Sequence, residues 1–125
     1  MSINEINVLV LAYLGDTIYE DYIRRYLINK GIAKVNDLQK EASLYVSAKG
    51  QASYLKTMLE SNFFTEEELS VIRRARNNKS NSHPKNCDII TYKHATGLEA
   101  LIGYLELSDR KERIDEIMNN ILGGV

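Results

Sequence analysis

The sequence has 125 residues, of which 44% are hydrophobic and 26% charged, with one proline, one cysteine and a formal net charge of -1. That length and balance fit one globular domain, taken as residues 1–125, and exclude disordered, collagen-like and disulfide-stapled classes. The lone Cys87 suits a reducing compartment, no apolar run is long enough to span a bilayer, and no secretory leader pattern opens the chain; a cytoplasmic protein with no membrane partner is expected.

Helical periodicity dominates from end to end, which predicts an all-α fold built as a helical bundle. From about Asn7 to Ile28, the residues Leu11, Leu14, Ile18 and Tyr22 recur at spacings of three and four and mark a core face, and Gly31 supplies the stop. Asn36 is placed to cap a short helix around Asp37 to Glu41, and Val46 to Leu59 carries the pattern on through Ala48, Ala52, Leu55 and Leu59. Thr65 followed by Glu66, Glu67 and Glu68 reads as a capping box. It opens a helix ending in Arg73, Arg74 and Arg76, acidic first and basic last as the helix dipole favours. Asn77 to Cys87, NNKSNSHPKNC, is rich in turn formers and reads as a loop. Helices resume from about Thr91 to Leu107 and from Arg110 to Leu122, broken at Ser108 and Asp109 and ended by Gly123 and Gly124.

Two carboxylates stand in apolar company. A second stripe of the first helix, opposite its core face, runs through Leu9, Ala12, Asp16, Glu20 and Ile23, so Asp16 is expected to be partly buried; Glu99 sits among Ala95, Thr96, Ile102 and Gly103. A buried, unpaired carboxylate costs several kcal/mol and requires a cation or a proton. Gly15, Gly97 and Gly103 each cost about 1 kcal/mol relative to alanine inside a helix, which suggests close backbone approach. If the two helices cross near Gly15 and Gly103, Asp16 and Glu99 share a pocket suited to a hard ion such as Mg²⁺, with Tyr13 one turn away to line it. The alternative is that Asp16 pairs with Arg24 or Arg25 and that Glu99 is half exposed beside Lys93 or Lys111. His83 and His94 lack metal-ligand spacing, and the serines of SNSH lack the strand–turn–helix context of a nucleophile.

Charge is segregated as well. Arg73, Arg74, Arg76, Lys79, Lys85 and Lys93 face a single acid, Asp88, within residues 73–93, which points to a polyanion docking on one surface. A solvated basic helix end is the plainer alternative.

The segment LAYLGDTIYE, Leu11 to Glu20, resembles the signature of ribonuclease III nuclease domains, and TGLEALIGYL, Thr96 to Leu105, resembles the helix carrying that family's last catalytic glutamate. With YVSAKGQASYL and RRARNNKSNSHPKN also similar, and no room for an appended double-stranded RNA-binding domain, the sequence is identified as a member of the Mini-ribonuclease III group. The resemblance runs from about Val8 to Leu107. It implies a homodimeric Mg²⁺-dependent endonuclease, with Mn²⁺ able to substitute. Such an enzyme hydrolyses double-stranded RNA to 5′-phosphate and 3′-hydroxyl ends.

By the same resemblance, Asp16 and Glu99 are the catalytic and metal-holding residues. Glu20, one turn on, either orients a water at the metal or pairs with Arg24, and Thr96 and Tyr13 flank the site. Arg73, Arg74, Arg76, Asn77, Lys79, Lys85, Asn86 and Lys49 contact RNA phosphates. The implied substrate is precursor large-subunit (23S) ribosomal RNA, with a ribosomal protein as the partner that presents it. Where the larger enzymes carry further acids this chain has Leu9, Ala12, Thr96 and, within YVSAKGQASYL, Ser53, leaving two carboxylates. The competing reading is an inactive RNA-binding or ribosome-assembly module of the same fold.

Overall fold

The computed structural model of the chain describes residues 2–79 and 85–123, and among these the regular structure is entirely helical. After a single 3-10 turn the helices are α1 (Val8–Asn29), α2 (Val35–Val46), α3 (Ala48–Glu60), α4 (Glu66–Arg76), α5 (Ile89–Leu107) and α6 (Lys111–Ile121). Their ends are set by local chemistry. The side chains of Asn7, Ser47 and Asp88 accept from the amides of Leu9, Gly50 and Thr91, and Thr65 with Glu68 closes the capping box in both directions. Gly31 leaves α1 at φ 93° and Asp109 turns the chain at φ 57°, as the stop signals require.

Two boundaries differ from the sequence reading. α2 is longer than Asp37 to Glu41, and its cap position holds Lys34 with no side-chain hydrogen bond; Leu38, Ala42, Tyr45 and Val46 pack on the core, so tertiary burial replaces the expected Asn36 cap. α5 starts at Ile89 because Asp88, not a residue nearer Thr91, supplies the cap.

α5 is the axis of the molecule. Every residue from Ala95 to Leu105 except Glu99 is buried, and α1, α3, α4 and α6 pack around it, α1 most extensively. The face that α1 turns to α5 is the row Leu11, Gly15, Tyr19, Ile23 and Leu27, at four-residue spacing. This corrects the expected face: Leu14, Ile18 and Tyr22 lie half-buried on its flank, and Ala12 and Ile23 of the second stripe are buried within the chain while Leu9 and Asp16 are exposed. The cause is the glycine pair. A Cβ at Gly15 would lie 1.7 Å from the Glu99 carbonyl oxygen, and one at Gly103 would lie 1.9 Å from the Leu11 carbonyl oxygen, so the backbones touch where a side chain would hold them apart. Gly97 departs from expectation, for its nearest neighbour is the Ile72 side chain at 3.4 Å, an ordinary contact.

The far side of the core is locked by ions. Glu68, 2% exposed, caps α4 and also accepts from Arg113 Nε at 2.7 Å and Nη2 at 2.9 Å, while Arg113 donates to the Phe63 carbonyl and lies over the Phe63 ring. Burial pushes the Glu68 carboxyl up, but the Arg113 hydrogen bond and the Thr65 amide outweigh it and hold the group below the usual carboxylate range. Because the folded-state value lies below the unfolded one, this contribution is present above about pH 4.5 and is lost as pH falls further. Arg113→Met leaves Glu68 buried without its partner and is expected to cost about 2–3 kcal/mol at pH 7, read from urea unfolding. The deficit narrows as the pH is lowered toward 3.

Candidate active site

The α1–α5 crossing that the glycines permit brings Asp16 and Glu99 together. The Glu99 carboxyl lies within reach of Asp16 and near Gln51. Burial pushes it up to about 9, followed by the hydrogen bond and then the charge of Asp16, with the Gln51 amide opposing and the Glu20 charge adding slightly. Asp16 itself is exposed, contrary to the expected partial burial, because it stands on the rim of the crossing and not on the row facing α5.

Neither carboxylate pairs with a base among the described residues. Arg24 binds Glu20 at 3.1 Å and Arg25 binds Asp21 at 2.9 Å, so both arginines named as alternative partners of Asp16 are taken by neighbours one turn away. Two close, uncompensated carboxylates and an all-oxygen donor set fit a hard divalent cation. No group of three or more His, Cys, Asp or Glu side chains able to hold a metal is found among the described residues, so the site rests on two acids.

The pair is a liability without a cation. The folded-state value of Glu99 lies above the ordinary 4.5, so its contribution to stability is complete below that pH and is lost as pH rises toward 9. Glu99→Gln is therefore expected to stabilise the metal-free protein by about 1 kcal/mol at pH 7.5, seen as a higher Tm in EDTA.

The other sequence-predicted residues separate. Glu20 is half-buried and adds charge near Glu99 while engaged with Arg24. Tyr13 is 82% exposed, and the Thr96 hydroxyl is buried and donates to the Tyr92 carbonyl at 2.9 Å, so it is spent on its own helix. Ser53 is exposed on α3. One residue of the site was missed: Gln51, from the opening turn of α3. Its signal was a polar residue on the stripe Gln51, Leu55 and Met58, which α3 buries against the core.

On the basic side, Arg73, Lys79, Lys85, Asn77, Asn86 and Lys49 are exposed and Arg76 is half-buried. Arg74 differs, because its Nη2 donates to the Ile6 carbonyl at 3.0 Å and ties α4 to the segment before α1. Part of the expected loop, residues 80–84 with His83, lies outside the described residues. His94 directs Nδ1 at the Ile90 carbonyl, 2.8 Å away. No helix among the described residues is long and apolar enough to cross a membrane.

Two neighbouring carboxylates at a glycine-seated helix crossing, with a basic helix end on the same small bundle, define a class of protein that comparison makes explicit: the model of the ribonuclease III domain matches residues 9–110. Curated relatives called Mini-ribonuclease 3 include one from Brevibacillus brevis, 55% identical, which covers 92% of this chain and 84% of its own. Another, from Enterococcus faecalis, is 50% identical over 92% of this chain and 87% of its own. An X-ray structure of a Fusobacterium nucleatum protein is 36% identical and superposes with a TM-score of 0.85, covering 98% of this chain and 96% of that one. The chain belongs to the ribonuclease III family, within its Mini-ribonuclease 3 group.

Proposed function

We propose that the chain is an endoribonuclease that hydrolyses double-stranded RNA with Mg²⁺, Mn²⁺ substituting, to 5′-phosphate and 3′-hydroxyl ends. Its natural substrate in this reading is precursor large-subunit ribosomal RNA, presented by a ribosomal protein in the cytoplasm. The observation that carries the reading is the Asp16–Glu99 pair, two carboxylates at hydrogen-bonding reach with no basic partner among the described residues.

In this reading Asp16 and Glu99 hold the cation, and the glycine contact between α1 and α5 sets their spacing. When bound, Mg²⁺ supplies charge stabilisation on the scissile phosphate and a nucleophilic water near neutral pH. The exposed Arg73, Lys79, Lys85 and Lys49, with Arg76, Asn77 and Asn86, hold phosphates of the duplex, which is recognised mainly by its shape and its 2′-hydroxyls. Leu9, Val10 and Tyr13 form an exposed apolar edge on the turns of α1 that lead to Asp16. Covering that edge with a second copy gives a homodimer whose two sites cut one strand each.

The test is cleavage of long duplex RNA by purified protein with Mg²⁺ or with EDTA, with single-stranded RNA as control. Mg²⁺-dependent cutting confined to the duplex supports the nuclease. Duplex binding without cutting points instead to an inactive RNA-binding module. Binding is expected to fall steeply between 50 and 200 mM salt, and Arg73→Ala with Arg76→Ala is expected to flatten the log–log salt slope by about two units, measured by filter binding.

A further inference from the structure

Tyr19 carries a hydroxyl into the row that α1 turns to α5, between the apolar Leu11, Ile23 and Leu27. The side chain is fully buried, and its Oη donates to the Tyr45 carbonyl in the last turn of α2 at 2.7 Å. Phenylalanine would fill the same space with no polar atom to satisfy, so this bond is what tyrosine adds at position 19. Its acceptor is one of the last carbonyls of α2, which stops at Val46 and leaves them without partners in their own helix.

Tyr45 also joins three helices. Its ring stands edge-on to Tyr26 of α1 at 6.3 Å and stacks on Tyr54 of α3 at 6.0 Å. Ser47 alone separates α2 from α3, in an extended conformation, and caps α3 through the Gly50 amide. A Cβ at Gly50 would lie 2.3 Å from the Leu44 carbonyl oxygen and 3.2 Å from that of Tyr45, so the opening turn of α3 is seated directly on the end of α2. Contacts thus run without a break from α1, three residues past Asp16, through Tyr45 to the turn that carries the exposed Lys49.

We propose that Tyr19 is a positioning residue for RNA cleavage: its hydrogen bond to the Tyr45 carbonyl fixes the α2–α3 elbow against α1 and so sets where Lys49 holds a duplex phosphate relative to Asp16. The inference deepens the nuclease reading and rests on it. Tyr19 is sealed in the core and touches neither RNA nor the reacting phosphate; it acts through Lys49. Without the bond the elbow keeps its charge and loses its fixed placement, and a substrate held an ångström out of place reacts far more slowly.

The experiment is a double-mutant cycle on single-turnover cleavage of a defined duplex at saturating Mg²⁺, with Tyr19→Phe, Lys49→Ala and the two combined, at a temperature where urea unfolding shows each protein folded. Tyr19→Phe is expected to slow cleavage about tenfold while duplex affinity and its salt slope, read by filter binding, stay at wild-type values, because no charge is lost. Lys49→Ala is expected to slow cleavage by a similar factor and to flatten the salt slope by about one unit. The combined variant is expected to cut no more slowly than Lys49→Ala alone. Either single variant cutting at the wild-type rate, or two factors that multiply in the combined variant, overturns the proposal. A wild type that leaves duplex RNA intact overturns the nuclease reading beneath it, which separates the two failures. Should Tyr19→Phe fail to fold, Tyr54→Leu loosens the same elbow by removing the half-buried ring stacked on Tyr45. The cycle with Lys49→Ala is then expected to show the same loss of additivity, and independent effects defeat the assignment.

Discussion

Asp16→Asn is expected to lower duplex cleavage by about 10³-fold or more at saturating Mg²⁺, and Glu99→Gln to do the same, with neither protein losing stability. The asymmetry follows from the site. Each change removes a charge and keeps the volume, so packing around α5 is undisturbed. The like-charge contact that the cation exists to relieve disappears at the same time. Single-turnover cleavage of a defined duplex, alongside filter binding, reads the chemical step apart from affinity. A variant that cuts within tenfold of wild type removes Asp16 or Glu99 from the chemistry. The Glu99 variant joins two effects in one molecule, higher stability without metal and lost activity with it, as expected of a site that holds strain for function.

Gly15→Ala and Gly103→Ala are expected to destabilise the fold by about 3 kcal/mol or more each, against about 1 kcal/mol gained from helix propensity. Each added methyl would overlap a backbone carbonyl oxygen of the facing helix, at 1.7 Å for Gly15 and 1.9 Å for Gly103, and neither obstacle can rotate away as a side chain would. The helices must part, and Glu99 moves from Asp16 when they do. Any of these variants that still folds should therefore lose activity beyond its loss of stability, a comparison made by urea unfolding and by cleavage at a temperature where both proteins are folded. Gly97→Ala is the control, since its nearest neighbour, in the Ile72 side chain, stands at 3.4 Å, an ordinary contact; it should be close to neutral.

Much of the helical frame was legible in the chain because helix ends are decided within a few residues. The Thr65–Glu68 box, the Gly31 stop and the break at Asp109 are local hydrogen-bonding and backbone matters, and the structure places them as read. α2 was legible only in part, since its length comes from Leu38, Ala42, Tyr45 and Val46 meeting the core, and burial is a property of the partner as much as of the residue. The face of α1 was misread for the same reason: two apolar stripes gave no way to know that the glycine row between them would meet α5.

The candidate site divides along the same line. By itself the sequence singled out Asp16 and Glu99, though it set Asp16 deeper than the exposed rim it occupies, and it determined that small residues at positions 15 and 103 let two helices approach, because a missing side chain is visible without coordinates. Only the tertiary structure decided that Arg24 and Arg25 spend their charge on Glu20 and Asp21, that Arg74 is drawn to the Ile6 carbonyl, and that Gln51 of a third helix lies near Glu99. The physical reason is that ion pairs and hydrogen bonds form at angstrom distances between side chains with several choices of partner, and the packing of α1 and α3 on α5 makes that choice.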